Sequence, residues 1–269
     1  MKLHATFRIT IFTAFLLCSI PNLYAQKKEP VLAKAYYSFS HIPDTLNLNY
    51  AVTDNMVLLL GKTSTIYRSI DRMKSDSTIL AKFKSKATGA GSPVANNGSH
   101  TVLYLENDTH KAFQQDFLVN KYIYPIEYPT IEWHIAPDTA TIKGQLCQKA
   151  TGDWKGRTYI VWFCKDIPFR AGPWKLNGLP GLILQAYDTK KQVEFQLVAY
   201  ESNVNPPVVI DHDPGLVVTT KPEYLKMREL FLSNPTAYIK ASMPGVTNIK
   251  LPAPYVRKPA PNNPLELVK

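Results

Sequence analysis

Apolar and polar residues fall into short runs along most of the chain, several of them alternating with a period of two, the pattern of strands buried on one face. Strands are predicted over residues 33–40, 56–60, 64–70, 100–106, 111–118, 121–126 and 131–135, and again over 145–151, 157–164, 182–188 and 193–201. Helical periodicity is confined to residues 70–83 and 223–232, the second opened by Pro222 and stopped before Asn234-Pro235. Short connections make most strands antiparallel neighbours. A sheet of about ten strands has to curl or split, and its few helices must cover an apolar face. The expected fold is mainly β: a curved antiparallel sheet or half-barrel with one or two packing helices, one on the concave face.

The punctuation refines this layout. Gly152-Asp153-Trp154-Lys155-Gly156 reads as a hairpin loop, and a register pairing 149 with 162 and 151 with 160 centres the turn near Lys155-Gly156 and sets Cys147 across from Cys164. Two readings of that pair stand side by side, a cross-strand disulfide and two small buried thiols. Residues 89–98, rich in Gly, Ser, Pro and Asn, form a surface loop. The stretch from Pro244 onward carries six of the 21 prolines and is expected to be extended. No repeat of 20 to 50 residues is visible, which argues against propellers and solenoids.

The first 25 residues stand apart. Lys2, His4 and Arg8 precede an apolar stretch over 9–20, Pro21 breaks it, and Leu23-Tyr24-Ala25 precedes Gln26, the layout of a secretory signal peptide. At 12 residues the apolar stretch is short of the roughly 20 that span a bilayer, and no later run is longer, so no transmembrane segment is expected in the mature chain. Leu17 ahead of Cys18 is the wrong neighbour for lipidation. The organisation expected is a signal peptide at 1–25, one β-rich domain at 26–243 and a tail at 244–269. The exported chain would be periplasmic, outer-membrane-associated or extracellular.

Composition excludes some classes. A hydrophobic content of 45% against 19% charged residues rules out a disordered chain. Thirty-one Lys and Arg against 21 Asp and Glu give +10, and loss of Lys2 and Arg8 with the signal peptide leaves +8. The basic residues are spread evenly with no aromatic-interleaved helix, so nucleic acid is not an expected partner. Histidines 41, 100, 110, 134 and 212 are scattered singly, and Asp211-His212-Asp213 runs into Pro214-Gly215, which suits an Asx turn better than a cation site. Gly61-Lys62-Thr63 lacks the glycine-rich loop that a phosphate site needs. No metal, cofactor or catalytic set is expected.

One segment is singular. Residues 167–183 hold three glycines and three prolines between two strands, and Pro180 flanked by Gly178 and Gly181 dictates a rigid, sharply bent loop. Leu179, Leu182 and Ile183 point to a buried corner. Arg170 and Trp174, held on the same loop, are binding candidates, because aromatic and guanidinium groups on rigid loops make frequent hot spots.

The string Gly178-Leu179-Pro180-Gly181-Leu182-Ile183 resembles the motif of the GLPGLI family of Bacteroidetes envelope proteins. The likeness extends to Cys147, Lys149-Ala150, Arg157 and Trp162, to Ile167-Pro168 and Gly172-Pro173, and to the ending Asn263-Pro264-Leu265-Glu266-Leu267, while Cys164 lies outside the shared pattern. The resemblance implies an exported protein of unassigned function and brings no catalytic residues. The sequence is read as a non-enzymatic envelope protein that binds an apolar or amphiphilic ligand or an outer-membrane partner. The alternatives are a thiol-dependent or hydrolytic enzyme using Cys147 with a distant histidine, and a purely structural surface module.

Overall fold

The computed structural model describes residues 28–74, 98–242 and 261–268. The signal segment, the 89–97 loop, the predicted helix beyond residue 74 and the tail from 243 to 260 lie outside the described residues. Within them the protein is mainly β, an open sheet of twelve strands with no barrel closure. Two meanders build it. The first runs through β2 (Ala33–His41), β3 (Val52–Leu60), β4 (Ser64–Ser69), β5 (Val102–Glu106), β6 (Lys111–Phe117) and β7 (Lys121–Ile126). The second runs through β8 (His134–Ile142), β9 (Gln145–Trp154), β10 (Arg157–Cys164), β11 (Leu182–Asp188) and β12 (Val193–Glu201). Antiparallel pairing of β12 with β2 joins them, so the order is β14-β7-β6-β5-β4-β3-β2-β12-β11-β10-β9-β8, with β14 (Val217–Val218) parallel to β7 at one edge. A separate pair links β1 (Glu29–Pro30) to β13 (Val209–Ile210).

Strand chemistry explains the layering. Along β3 and β4 alternate side chains go to opposite faces, and both faces are covered, so residues 56–60 read as one unbroken apolar run. Met56, Leu58 and Tyr67 join Tyr37, Tyr159, Phe163 and Phe195 on the inner face. Val57, Leu59 and Ile66 join Tyr104 and Phe113 on the outer face, where Ile210, Val204, Val208 and Leu216 pack over them. Asp213 pins that outer segment, accepting from Arg68 at 3.0 Å, Lys121 at 2.8 Å and Gln115 at 3.1 Å. Asp211 pairs with Lys28 and also accepts from the His212 amide. Both carboxylates of the 211–213 stretch are thus engaged by the protein's own groups.

Several predicted elements differ in their bounds: β3 begins at Val52 rather than 56, and β9 runs on to Trp154, which shortens the expected Gly152–Gly156 loop to a tight turn. The strand expected over 131–135 begins at His134 and runs to Ile142, because this edge strand is exposed on both faces and carries no alternating pattern. Ile131 and Trp133 are taken instead by packing against the core. At the 223–232 helix, α1 (Lys221–Ser233) is capped by Thr220 and Glu223 in a reciprocal capping box with Pro222 in its first turn. A second helix, α2 (Pro235–Ser242), follows Asn234 directly, since proline is also a favoured first residue of a helix. Tyr224 packs on Tyr122 and Tyr124 at 5.9 and 5.0 Å, which seats α1 on the inner face at its β7 end.

Candidate functional site

Two covers lie on the inner face. One is α1 at the β7 end. The other is the loop of residues 167–181, whose Ala171, Trp174, Leu176 and Leu179 belong to the same core cluster as β10 to β12. Leu179, Leu182 and Ile183 are buried, and Gly178 has φ +94°. Gly181 has no room for a side chain: a Cβ there would lie 2.1 Å from the Cys164 carbonyl oxygen. Pro180 stands exposed between the two glycines. The Gly178–Ile183 string is therefore a packed corner that turns the loop into β11.

A cleft of about 470 Å³ remains between the covers. Its floor is Phe39, Met56, Tyr67, Leu103 and Phe195, with Phe39 stacked on Phe195 at 5.1 Å. Gln114, Ser99 and Thr101 add polar groups on one side, Trp174 and Lys175 come from the loop, Arg228 from α1, and Pro264, Leu265 and Glu266 from the C-terminal segment. Of the two binding candidates, Trp174 lines this cleft, with φ +56° and 9% exposure. Arg170 does not line it. Its guanidinium is exposed and donates to the Gly178 carbonyl at 3.1 Å, bracing the loop from outside.

The C-terminal segment is bolted in place by a buried cation. Arg157 donates to Asp188 at 2.6 Å, to the Asn263 side chain and the Pro264 carbonyl at 2.6 Å each, and to the Leu265 carbonyl at 3.0 Å. Asp188 also accepts from the amides of Gln192 and Val193, and Asn263 donates to the Ile42 carbonyl. Every arm of the guanidinium is satisfied, so the charge tolerates burial. Beyond this anchor, Glu266 accepts from Lys175 at 2.5 Å, and the Lys175 ammonium lies 5.4 Å from the Trp174 ring centroid.

The polar groups of the cleft wall are mostly occupied. Asp54 accepts from Ser69 at 2.7 Å and from the Ser99 amide at 2.6 Å, and Thr101 donates to Asp116 at 2.6 Å. Tyr37 donates to the Ile183 carbonyl at 2.8 Å. Tyr67 differs: its ring is 5% exposed and its hydroxyl has no hydrogen-bond partner among the described residues. Burial, with Tyr37 and Asp54 adding to it, pushes its acidity well away from the neutral range, so the hydroxyl remains a proton donor. A buried donor without an acceptor costs about 1–3 kcal/mol unless something supplies one.

Cys147 and Cys164 are free thiols in this structure, both buried. Burial, with Cys164 nearby, pushes the Cys147 thiol up to about 11, the opposite of what a thiolate nucleophile requires. Sequence reasoning did not single out Tyr67, Lys175, Arg228 or Glu266. Period-two patterning puts Tyr67 on a strand but does not say which face is hollow, and the charged residues come from three elements far apart in the chain.

A family model described as a protein of unknown function (Porph_ging) matches residues 153–185, the β9–β10 hairpin end and the loop into β11. No curated protein matches the chain. Two solved structures, of PNGF-II in P21 and C2 crystal forms, are similar in part: 13% and 15% identity, TM-scores 0.47 and 0.46, over 74% and 72% of this chain. This chain spans about a third of theirs, 32% in each case.

Proposed function

We propose that the protein is an exported, non-enzymatic binding protein whose inner-face cleft takes an amphiphile, with its apolar body against Phe39, Met56, Leu103 and Phe195 and a hydrogen-bond acceptor at Tyr67. The cleft's volume lies within the roughly 300–1,000 Å³ of small-molecule sites, and apolar walls with a few placed polar groups are their usual composition. The observation that carries the reading is the apolar-floored cleft itself, whose lining includes Tyr67, a residue with a buried hydroxyl that has no partner among the described residues. Export rests on the character of residues 1–25.

The test pairs a neutral dye with one substitution. N-phenyl-1-naphthylamine should brighten on binding the mature protein, and monolaurin, whose ester and hydroxyls offer acceptors, should displace it. Tyr67→Phe should leave dye binding intact and weaken monolaurin by roughly 2- to 10-fold, the worth of one hydrogen bond. The same variant should unfold at an equal or higher temperature, since it removes a polar group that has no partner. Absence of dye binding, or equal monolaurin affinity in the two proteins, would refute the reading.

A further inference from the structure

Cys147 and Cys164 sit on neighbouring strands whose register is fixed by Lys149 opposite Trp162 and Gln148 opposite Phe163. One more step along this antiparallel ladder sets the two cysteines opposite each other. Directly opposed residues of an antiparallel ladder project to the same side, and both cysteines are buried, at 1% and 0% exposure. Their sulfurs converge on one residue: Cys147 Sγ lies 3.5 Å from the Gln145 carbonyl oxygen, and Cys164 Sγ lies 3.8 Å from its side-chain oxygen. Directly opposed antiparallel residues have Cα atoms about 4.5 or 5.5 Å apart, and disulfides span about 4.4–6.8 Å. Either kind of pair therefore falls within reach without a change of register.

We propose that Cys147 and Cys164 are an oxidisable pair that closes into a cross-strand disulfide when the chain meets a small-molecule disulfide. One cysteine thiolate attacks the disulfide RSSR, forming a mixed disulfide and expelling RS⁻. The second cysteine thiolate then attacks the protein sulfur of that mixed disulfide and expels the other RS⁻. The two protons lost by the cysteines end on the two RSH molecules, and the protein is oxidised by two electrons as RSSR is reduced. Closure would tie β9 to β10 at the end of the hairpin opposite Lys155-Gly156. The reduced thiols are shielded inside the native core, so oxidation is fast while the hairpin is still open and slow once the core has formed.

The experiment refolds the mature protein from denaturant in a buffer of reduced and oxidised glutathione, and measures intact mass and thiols alkylated after denaturation. The expected product is a monomer lighter by two hydrogens with no alkylatable thiol, and a melting temperature several degrees above that of the reduced protein, because a short loop is closed in the unfolded chain. The reduced native protein, given oxidised glutathione without denaturant, should convert at least tenfold more slowly. A Cys147→Ser variant should instead stop at the glutathione adduct of Cys164 or remain a free thiol. Refolded wild type that keeps two free thiols, or forms only adducts or intermolecular dimers, would overturn the proposal.

Discussion

Gly181→Ala and Gly178→Ala, three residues apart in one corner, should fail for different reasons and by different amounts. At Gly181 the added methyl would meet the Cys164 carbonyl oxygen at 2.1 Å and its carbon at 2.6 Å, with the Lys165 Cα at 3.0 Å. The closest contact lies 0.9 Å (3.0 less 2.1) inside the 3.0 Å that Cβ atoms keep from non-bonded neighbours. All three atoms are backbone, so no side chain can swing aside and the chain itself must shift. Nearby bonds pay for that shift: Leu182 N to the Ile167 carbonyl at 3.0 Å, Ile183 N to the Ala171 carbonyl at 3.0 Å, and the Cys164–Leu182 end of the β10–β11 ladder. Overpacking in cores costs about 1–3 kcal/mol where side chains can adjust, so about 3 kcal/mol or more is expected here. Gly178 has open space, its nearest neighbour being Trp133 Nε1 at 3.8 Å, and only its φ of +94° resists a side chain, at about 1–2 kcal/mol. Urea unfolding of the three proteins, with the slope compared as well as the midpoint, reads the difference directly. Equal losses, or a Gly181→Ala loss below about 1 kcal/mol, would show that the corner is not the rigid element described.

Other outcomes follow from the charged and sulfur groups. Arg157→Met leaves Asp188 buried without its cation and frees the C-terminal segment, so it should cost about 3–5 kcal/mol and speed amide exchange at Leu267, whose N–H donates to the Lys155 carbonyl. Asp213 should give the protein acid sensitivity: burial alone would raise its carboxyl, yet Arg68, Lys121 and Gln115 together hold it down to about 2, below the ordinary 3.8. The unfolded chain then takes up the proton first, so this stabilisation is present above about pH 4 and is lost as pH falls toward 2, and Asp213→Asn should flatten stability across that window. Iodoacetamide should label Cys147 far more slowly in the reduced native protein than in the unfolded chain at about pH 8, because the thiol is buried and burial pushes it up to about 11.

The β-rich architecture was legible where one strand face met water or where turn residues fixed a register. The hairpin is the clearest case: Lys149 pairs with Trp162 and Thr151 with Ile160 as expected, and Lys155 and Gly156 at φ +45° and +83° form the two-residue turn that glycine there permits. The bounds of β7, β11 and β12 came out as predicted. Strands of two residues, such as β1, β13 and β14, carry too few positions for any period to show. Strand β8 failed because exposure on both faces erases the alternation. The cleft was not legible, since its floor is drawn from five strands and its mouth from a loop, a helix and the C-terminal segment, and long-range placement leaves no local pattern. Arg157 and Asn263 both belong to the family-like strings, yet only the fold reveals that they are bonded to each other.

That separation bears on how the ligand should be sought. The segment matching the family model, residues 153–185, contributes only Trp174 and Lys175 to the cleft lining, and the rest of it builds the hairpin, the Arg157 anchor and the Gly178–Ile183 corner. Other groups that line the cavity, Tyr67 among them, come from β2 to β6, β12, α1 and the last described residues. A protein sharing the recognisable strings would thus be expected to share the scaffold while differing in what its cleft accepts. Exchanging Phe39, Met56, Tyr67 and Leu103 together, with the hairpin and corner left alone, should change ligand preference at little cost to the fold if total volume is kept. Exchanging the corner instead should unfold the protein before any preference changes.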